Sequence, residues 1–349
     1  MGVRQLSLPL AEAALLGLGH LAVEATTVVT AVALVAAAGY VTPAALAILA
    51  WHNGIAFATQ PPLGWLVDRA AVGHRHAHRD CAVAGCVLSA VGALLLGPAP
   101  LAALVMSALG NALYHVGAGG LVLANSPDSA AAQGLFVAPG DLGVAVGMLV
   151  GGGRWPLCGH WFALASLATI VPLWSMPSAS ARTGQAATRR ACWPLLLLLL
   201  AVIARPATVS WLGSQAPPGL TSVLTFYAVA TAAKCLGGFV ADRWGWRRAC
   251  LAAALACAAL LPVGGPLAPL TAAALAQLPT GVTLAAIGRR WPGWPGTAFG
   301  ITSLALYLGG PPAVPRLPSV GWVVAVQVLC ALCLAAALSP KADGAENAP

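Results

Sequence analysis

Long apolar runs constrain this chain more than any other feature. Twelve of them follow one another with short polar loops between, and each is close to the ~20 residues that a membrane-spanning helix needs. A polar segment rich in Ser, Ala and Thr separates two sets of six. We therefore expect an all-α membrane protein with twelve transmembrane helices in two pseudo-symmetric six-helix halves. The runs lie at about 6–38, 42–67, 80–97, 100–124, 131–152, 158–176, 193–214, 219–241, 246–264, 268–288, 296–314 and 319–338.

The central polar segment sets the expected domain organisation. We predict an N-terminal six-helix bundle over residues 1–176 and a cytoplasmic linker over 177–192. A C-terminal six-helix bundle follows over 193–340, and a disordered tail over 341–349. The first run lacks a small-residue cleavage signal after a short core, so it is expected to be a retained span rather than a removed signal peptide.

Composition excludes an ordinary soluble domain. Hydrophobic residues make up 59% of the chain and charged residues 7%, against roughly 45–50% and about 25% in soluble domains. So few charges cannot cover a water-exposed surface, which leaves lipid as the expected surroundings. The net charge of +8 does not indicate nucleic-acid binding, because the basic residues fall in separate loops rather than on one face.

The distribution of Lys and Arg predicts the orientation. Most of these 17 residues fall in the termini and the even-numbered loops, whereas the odd-numbered loops hold only Arg154 and Arg316. Arg205 and Lys234 lie inside predicted spans. Because cytoplasmic loops carry an excess of Lys and Arg, we expect a multi-pass protein of the inner (plasma) membrane with both termini in the cytoplasm.

Neither a metal site nor a cofactor is expected. The nine cysteines are scattered through apolar runs, where they are typical packing residues. His74, His76 and His78 are expected to form an exposed, solvated cluster in a cytoplasmic loop. The sequence has no G-x-x-x-x-G-K-[ST] loop, so energy must come from an ion gradient or from the gradient of the substrate itself.

One loop motif occurs twice, half a chain length apart, which indicates an internal duplication. In each copy a glycine lets two helices approach closely, and an acid follows one turn later where the helix leaves the hydrocarbon. We expect the two copies to form a conformational latch in which loop arginines are the partners of the acids. The copies are Gly64-Trp-Leu-Val-Asp68-Arg69 followed by Arg75, and Gly238-Phe-Val-Ala-Asp242-Arg243 followed by Arg247.

Twelve spans, a central linker and the paired loops resemble the major facilitator superfamily of transporters. Four further stretches are similar to its fosmidomycin-resistance branch of drug exporters, although Val116 stands where that branch has a proline. They are His20-Leu-Ala-Val-Glu24, Gly110-Asn-Ala-Leu-Tyr-His115, the glycine-rich Gly140-Asp-Leu-Gly143, and Ala204-Arg205 before Trp211. The resemblance implies a secondary transporter that works by alternating access, with proton-coupled efflux of a drug-like or anionic compound.

Ionisable residues inside spans cost several kcal/mol each, so each is a candidate for function. His20 and Glu24 stand at i, i+4 and share one helix face. We expect Glu24 to load and release the coupling proton beside His20; the alternative is a structural polar contact. Asp141 in span five is expected to be a second proton site, or a salt-bridge partner of a basic residue.

The expected substrate-binding residues come from both halves. Asn111 and His115 share a face of span four, with Tyr114 beside them, and either line a substrate cavity or form inter-helix hydrogen bonds. Arg205 and Lys234 are expected to bind an anionic substrate, or to pair with Asp141 or Glu24.

The expected partners are therefore a small-molecule substrate, protons and membrane lipid, for a protein that acts as a monomer. Within the same class, a proton symporter or uniporter that imports a metabolite is the alternative. From another class, His20, His115 and Glu24 could serve a membrane-embedded enzyme that acts on a lipid-linked substrate. The paired motifs argue against an enzyme, which has no need of a latch repeated in both halves.

Overall fold

The structure, a computed structural model, describes residues 8–40, 42–153, 159–177, 192–215, 220–263, 265, 267–310 and 319–339. The predicted tail, nearly all of the predicted linker, Arg154 and Arg316 lie outside these residues. The described part of the chain contains helices and no strand. The helices are α1 (Leu8–Ala37), α2 (Pro43–Ala58), α3 (Gln60–Ala71), α4 (Ala77–Leu94), α5 (Pro100–Asn125), α6 (Ala130–Gly151), α7 (Gly159–Ala168), α8 (Ile170–Ser175), α9 (Trp193–Gln215), α10 (Leu220–Trp244), α11 (Trp246–Leu260), α12 (Ala268–Gln277), α13 (Thr280–Arg290), α14 (Pro295–Leu308) and α15 (Val320–Ala337).

The all-helical prediction is confirmed, and the chain is a multi-pass membrane protein. Among the described residues, seven helical segments are long and apolar enough to cross a membrane. Large apolar side chains such as Leu18, Leu101 and Leu332 are exposed on them, as expected where lipid is the solvent. The count of twelve spans stays a prediction.

Three stretches predicted as continuous spans are each divided into two helices. The second predicted span breaks at Thr59, the sixth at Thr169, and the tenth between Gln277 and Thr280. Prolines follow or occupy each break, and a proline favours a break because it has no N–H to donate to the helical ladder. Pro139 and Pro206, in contrast, lie inside the continuous helices α6 and α9. Thr59 also donates its hydroxyl to the carbonyl of Ile55 at 2.6 Å, which satisfies an acceptor at the end of α2.

Both helices that carry the repeated motif extend further than the sequence predicts. The predicted spans end near residues 67 and 241, whereas α3 continues to Ala71 and α10 to Trp244. Arg69 and Arg243 therefore lie in the last turn of a helix rather than in the loop beyond it. A cation in that position interacts favourably with the helix dipole.

The chain forms two compact units. Unit 1 comprises Met1–Ser126, Phe136–Gly184 and Gly293–Ile301, and unit 2 comprises Pro127–Leu135, Gln185–Pro292 and Thr302–Pro349. These units differ from the sequential halves at two short segments. The start of α6 belongs to unit 2, and the start of α14 belongs to unit 1.

In unit 1, glycines allow α4 and α5 to pack backbone against backbone. A Cβ on Gly85 or Gly92 of α4 would meet the backbone of α5, and a Cβ on Gly110 or Gly117 of α5 would meet the backbone of α4. Small residues at such a contact let two helices approach closely within a membrane. The contact fixes the position of α5, which carries part of the polar site described below.

Unit 2 has an apolar core built from five of its helices. Leu212 of α9, Phe226 of α10, Cys257 of α11, Ala273 of α12 and Val323 of α15 are all buried in it. Cys257 donates its thiol to the carbonyl of Ala272 at 3.3 Å, as expected for a small packing residue.

Candidate functional site

Two imidazoles converge on one buried carboxylate inside unit 1. The Nε2 atom of His20 lies 3.5 Å from Oε1 of Glu24, and the Nε2 atom of His115 lies 3.3 Å from the same oxygen. One ligand atom from each residue fits within 4.8 Å of the others. The exposed fractions are 5% for His20, 9% for Glu24 and 5% for His115. We call these three residues the His–Glu–His cluster.

Backbone carbonyls orient both imidazoles. Nδ1 of His20 lies 3.1 Å from the carbonyl oxygen of Phe136, and Nδ1 of His115 lies 2.8 Å from that of Asn111. A carbonyl only accepts, so each Nδ1 carries the proton, and in the neutral ring each Nε2 presents a lone pair towards Glu24. With Glu24 ionised and both rings neutral, three electron-rich atoms converge, and a proton or a metal cation bound among them relieves their mutual repulsion.

Glycines of α6 make room for the cluster. A Cβ on Gly140 would lie 2.5 Å from an imidazole carbon of His20, and a Cβ on Gly143 would lie 2.8 Å from Cβ of Glu24. Gly147 continues the same seam against Val28 of α1. The glycine-rich stretch of span five thus brings α6 against the face of α1 that carries His20 and Glu24.

Aromatic rings cover the cluster. The ring of Phe136 stacks on His20 with 5.2 Å between ring centroids, and the ring of Phe299 lies 5.9 Å from that of His115. The two phenylalanines contact each other edge to face at 5.7 Å and are almost fully buried. An apolar cover of this kind controls the access of water to the charged groups.

The polar residues of α5 divide into two kinds. Nδ2 of Asn111 donates to Oγ1 of Thr27 at 3.3 Å, while its buried Oδ1 has no hydrogen-bond partner. The hydroxyl of Tyr114 donates to the carbonyl of Leu16 at 2.6 Å, and Tyr114 is fully buried. Tyr114 thus joins α5 to α1 and has no exposed surface for a substrate, whereas Asn111 borders the cluster on the turn before His115.

The other intramembrane charges lie outside the cluster. Asp141 is half-buried on α6, directly after the glycine that contacts His20, and is not one of the three clustered residues. In unit 2, Arg205 is buried on α9 beside a cavity of about 10 Å³ that Thr283 and Gln327 also line. That volume holds roughly one water molecule, which is too little for an organic anion. Lys234 is buried on α10 and does not line this cavity.

Asp68 caps the N-terminus of a helix from the second half of the sequence. Its Oδ1 accepts from the amide of Gly296 at 2.9 Å, and its Oδ2 accepts from the amide and hydroxyl of Thr297 at 2.7 and 2.6 Å. Gly64 allows this approach, because a Cβ there would collide with the backbone of Gly296. The free amides and the dipole at a helix start favour a negative charge in this position.

Asp242 caps α6 in the corresponding way within unit 2. Its carboxylate accepts from the amides of Ala130 and Ala131, each at 3.0 Å, and from the hydroxyl of Ser129 at 3.1 Å. Gly238 contacts the same backbone, so a Cβ there would collide with it. The two copies differ in exposure, because Asp68 is 1% exposed whereas Asp242 is exposed.

The arginines that the sequence predicts as partners of the two acids make other contacts in this conformation, and the latch stays a prediction. Arg69 lies over the ring of Trp65 at 4.9 Å, and Nε of Arg247 donates to the carbonyl of Ala335 at 3.1 Å. Arg243 is exposed in the last turn of α10. Backbone amides take the place of the arginines, since two N–H groups at a helix start satisfy a carboxylate without ordering a long side chain.

The third histidine of the loop cluster is also placed differently from its prediction. His78 is fully buried in the first turn of α4, and its Nε2 donates to Oδ1 of Asp68 at 2.9 Å. No signal in the sequence indicated this contact, because the predicted span begins at residue 80 whereas α4 begins at Ala77. His52 of α2 was not singled out from the sequence either; it is buried, and its Nε2 has no hydrogen-bond partner.

The rest of that cluster is solvent-facing. His74 and Asp80 form an exposed ion pair at 2.6 Å, and Nε of Arg75 donates to Nε2 of His76 at 3.0 Å. Desolvation and the positive charges of Arg79 and Arg75 lower the pKa of His76. Because exposed pairs of this kind contribute little to stability, they serve below as controls.

Comparison with known proteins identifies the fold. No family model and no curated protein matches the sequence. The chain is similar to FucP, a major facilitator superfamily transporter, in its outward conformation, with a TM-score of 0.67 and 15% identity over 94% of this chain and 97% of that one. A second structure of FucP, the E. coli fucose:proton symporter, gives 0.61 at 15% identity over 94% and 97%.

A bacterial homologue of the iron transporter ferroportin, in its outward-facing state, is also similar. Its TM-score is 0.56 at 14% identity, over 95% of this chain and 99% of that chain. These structures show that the chain has the major facilitator fold. The resemblance to the fosmidomycin-resistance branch stays a prediction.

Proposed function

We propose that this protein is a secondary transporter that moves a small solute across the inner membrane by alternating access, coupled to protons. The observation that carries the proposal is the buried His–Glu–His cluster. A membrane protein rarely keeps an ionised carboxylate and two imidazoles in an apolar interior unless they act on an ion or a proton. The fold, which this chain shares with known transporters, supports the same class.

Glu24 carries the coupling proton in this proposal. Its Oε1 lies within 3.5 Å of Nε2 of both His20 and His115, so a proton that enters the cluster has three acceptors among which to settle. Binding of the proton removes the repulsion among them, and its release restores that repulsion. Binding or release of the proton can therefore change the forces on α1, α5 and α6, the helices that position the cluster.

The start of α14 links the cluster to the latch. Asp68 holds the amides of Gly296 and Thr297, and Phe299, two residues further on, covers His115. We propose that release of Asp68 shifts this segment and moves the Phe299 ring away from the cluster. Opening of the latch and access to the coupling site then become one conformational step.

The sequence favours export of a drug-like or anionic compound as the finer assignment. We further propose that both termini lie in the cytoplasm and that the monomer is the transporting species. Arg205 and Lys234 are the support for an anionic compound, since both are buried cations in unit 2. The geometry supports a cation-binding site more strongly than an anion-binding site, because three ligand atoms converge at Glu24 whereas the cavity beside Arg205 is only about 10 Å³.

The test compares gradient-driven transport with exchange in proteoliposomes. Glu24→Gln keeps the size of the side chain and its hydrogen-bonding capacity but cannot cycle a proton. We expect this variant to lose gradient-driven accumulation while solute-for-solute exchange persists. Asp80→Asn removes an exposed carboxylate and is the matched control that retains both. A Glu24→Gln protein that still concentrates solute in response to a proton gradient contradicts the proposal.

A further inference from the structure

We infer that the His–Glu–His cluster is a binding site for a divalent transition-metal cation of the kind that prefers imidazole ligands, such as Zn²⁺ or Co²⁺. Two histidines and one carboxylate are a frequent ligand set for these ions. The inference rests on the proposed function in one respect, because it names such a cation as the transported substrate. Binding itself depends only on the geometry of His20, Glu24 and His115.

The separations of the ligand atoms also suit a metal ion. A charge-assisted N–H···O hydrogen bond spans about 2.7–2.9 Å, whereas the two Nε2 atoms lie 3.5 and 3.3 Å from Oε1 of Glu24. Metal–nitrogen and metal–oxygen bonds of about 2.0–2.2 Å at tetrahedral angles place neighbouring ligand atoms about 3.4 Å apart. Both separations therefore match an edge of a coordination tetrahedron.

The surroundings of the cluster are those of a metal site. Each ligating histidine uses its other ring nitrogen to donate to a backbone carbonyl, which fixes the tautomer and aims the free lone pair at the metal position. The rings of Phe136 and Phe299 form an apolar shell. The three protein ligands leave a fourth position of a tetrahedral ion open, which water can fill.

The charge balance suits a carrier rather than a permanent structural site. One carboxylate and two neutral imidazoles leave a bound divalent ion with a net charge of about +1 in an apolar shell. A site with three protein ligands and an open fourth position also exchanges its ion more readily than a closed four-ligand site. The ion can therefore bind and leave within a transport cycle.

Binding is tested on the full-length protein in detergent, so that no transport is required. The starting protein carries His74→Gln and His76→Gln, which remove two neighbouring loop histidines that would compete for metal. Zn²⁺ is titrated calorimetrically, and Co²⁺ is followed by its visible absorption. We expect one ion per chain, and affinity weakened about 100-fold or more by Glu24→Gln or His115→Gln. His160→Gln changes a histidine that is exposed on α7, outside the cluster, and this variant is expected to bind as the parent does.

X-ray absorption at the zinc edge keeps the test independent of variant folding. The parent protein should show two imidazole nitrogens and one carboxylate oxygen at about 2.0–2.2 Å. Absence of stoichiometric binding, unchanged affinity in folded cluster variants, or a sulfur-containing ligand shell would overturn the inference. Proteoliposomes that show no transport while the purified protein binds Zn²⁺ as predicted would refute the proposed function and leave the metal site standing.

Discussion

Removal of the charge on Asp68 should release the start of α14. The carboxylate accepts four hydrogen bonds, from the amide of Gly296, the amide and hydroxyl of Thr297, and Nε2 of His78. Asp68→Asn keeps one oxygen and replaces the other by an NH₂ group that cannot accept. Because hydrogen bonds to charged groups contribute about 1.5–3 kcal/mol each, and a helix start favours an anion by up to ~2 kcal/mol, we expect a loss of about 3 kcal/mol.

A loss of this size shifts the opening equilibrium of the capped segment about 100-fold, since 1.4 kcal/mol corresponds to roughly a factor of ten. Hydrogen–deuterium exchange of a peptide that covers residues 293–301 measures the opening directly, because the amides of Gly296 and Thr297 exchange only when the cap is released. We expect their exchange to accelerate about 100-fold in Asp68→Asn.

Two other variants are compared with Asp68→Asn in the same exchange experiment. Asp80→Asn removes a partly exposed carboxylate that pairs with His74 and Arg79, where the expected loss is about 0–1 kcal/mol. Asp242→Asn should accelerate exchange at Ala130 and Ala131 but by less, because Asp242 is exposed whereas Asp68 is buried. Unchanged exchange at Gly296 and Thr297 in Asp68→Asn, or equal acceleration in Asp80→Asn, would refute the capping argument.

Two further substitutions test how the cluster is held. Gly140→Ala places a methyl group against the imidazole of His20, so we expect Zn²⁺ affinity and proton-coupled transport to fall about 10–100-fold. Gly54 has open space around it, so Gly54→Ala should change neither quantity. Equal behaviour of the two variants would contradict the role of the α6 glycines. Tyr114→Phe removes the hydrogen bond to Leu16 and should lower the free energy of unfolding by about 1–2 kcal/mol in a denaturation assay. The apparent KM for transport should stay unchanged. A raised KM at unchanged stability would make Tyr114 a substrate ligand instead.

Local periodicity predicts two of the three residues of the cluster. His20 and Glu24 stand at i, i+4, so any helix puts them on one face. The arrival of His115 at the same oxygen depends on the glycine-mediated packing of α5, which no local pattern encodes. For the same reason the sequence did not predict a metal site, because the third ligand comes from a helix about ninety residues further along the chain.

The sequence predicted the close helix contacts of the glycines in the repeated motif, but it did not predict which groups the acids contact. Arginines adjacent in sequence suggested salt bridges, whereas the amides that Asp68 and Asp242 accept from belong to helix starts distant in sequence. A backbone amide carries no residue-type signal, so its role becomes visible only in three dimensions. His78 illustrates the same limit, since a histidine-rich stretch looks solvated until α4 buries one member.

The measurement that tests the account most directly is the pH inside sealed proteoliposomes that contain the purified protein. Zn²⁺ or Co²⁺ is added outside, in parallel with a panel of small anionic and drug-like compounds. The account predicts that a metal cation drives proton movement in the parent protein, and that Glu24→Gln abolishes it. Folded parent protein that moves no protons with any solute, or a Glu24→Gln variant that moves them as the parent does, would contradict the claim that the His–Glu–His cluster is the coupled site of a transporter.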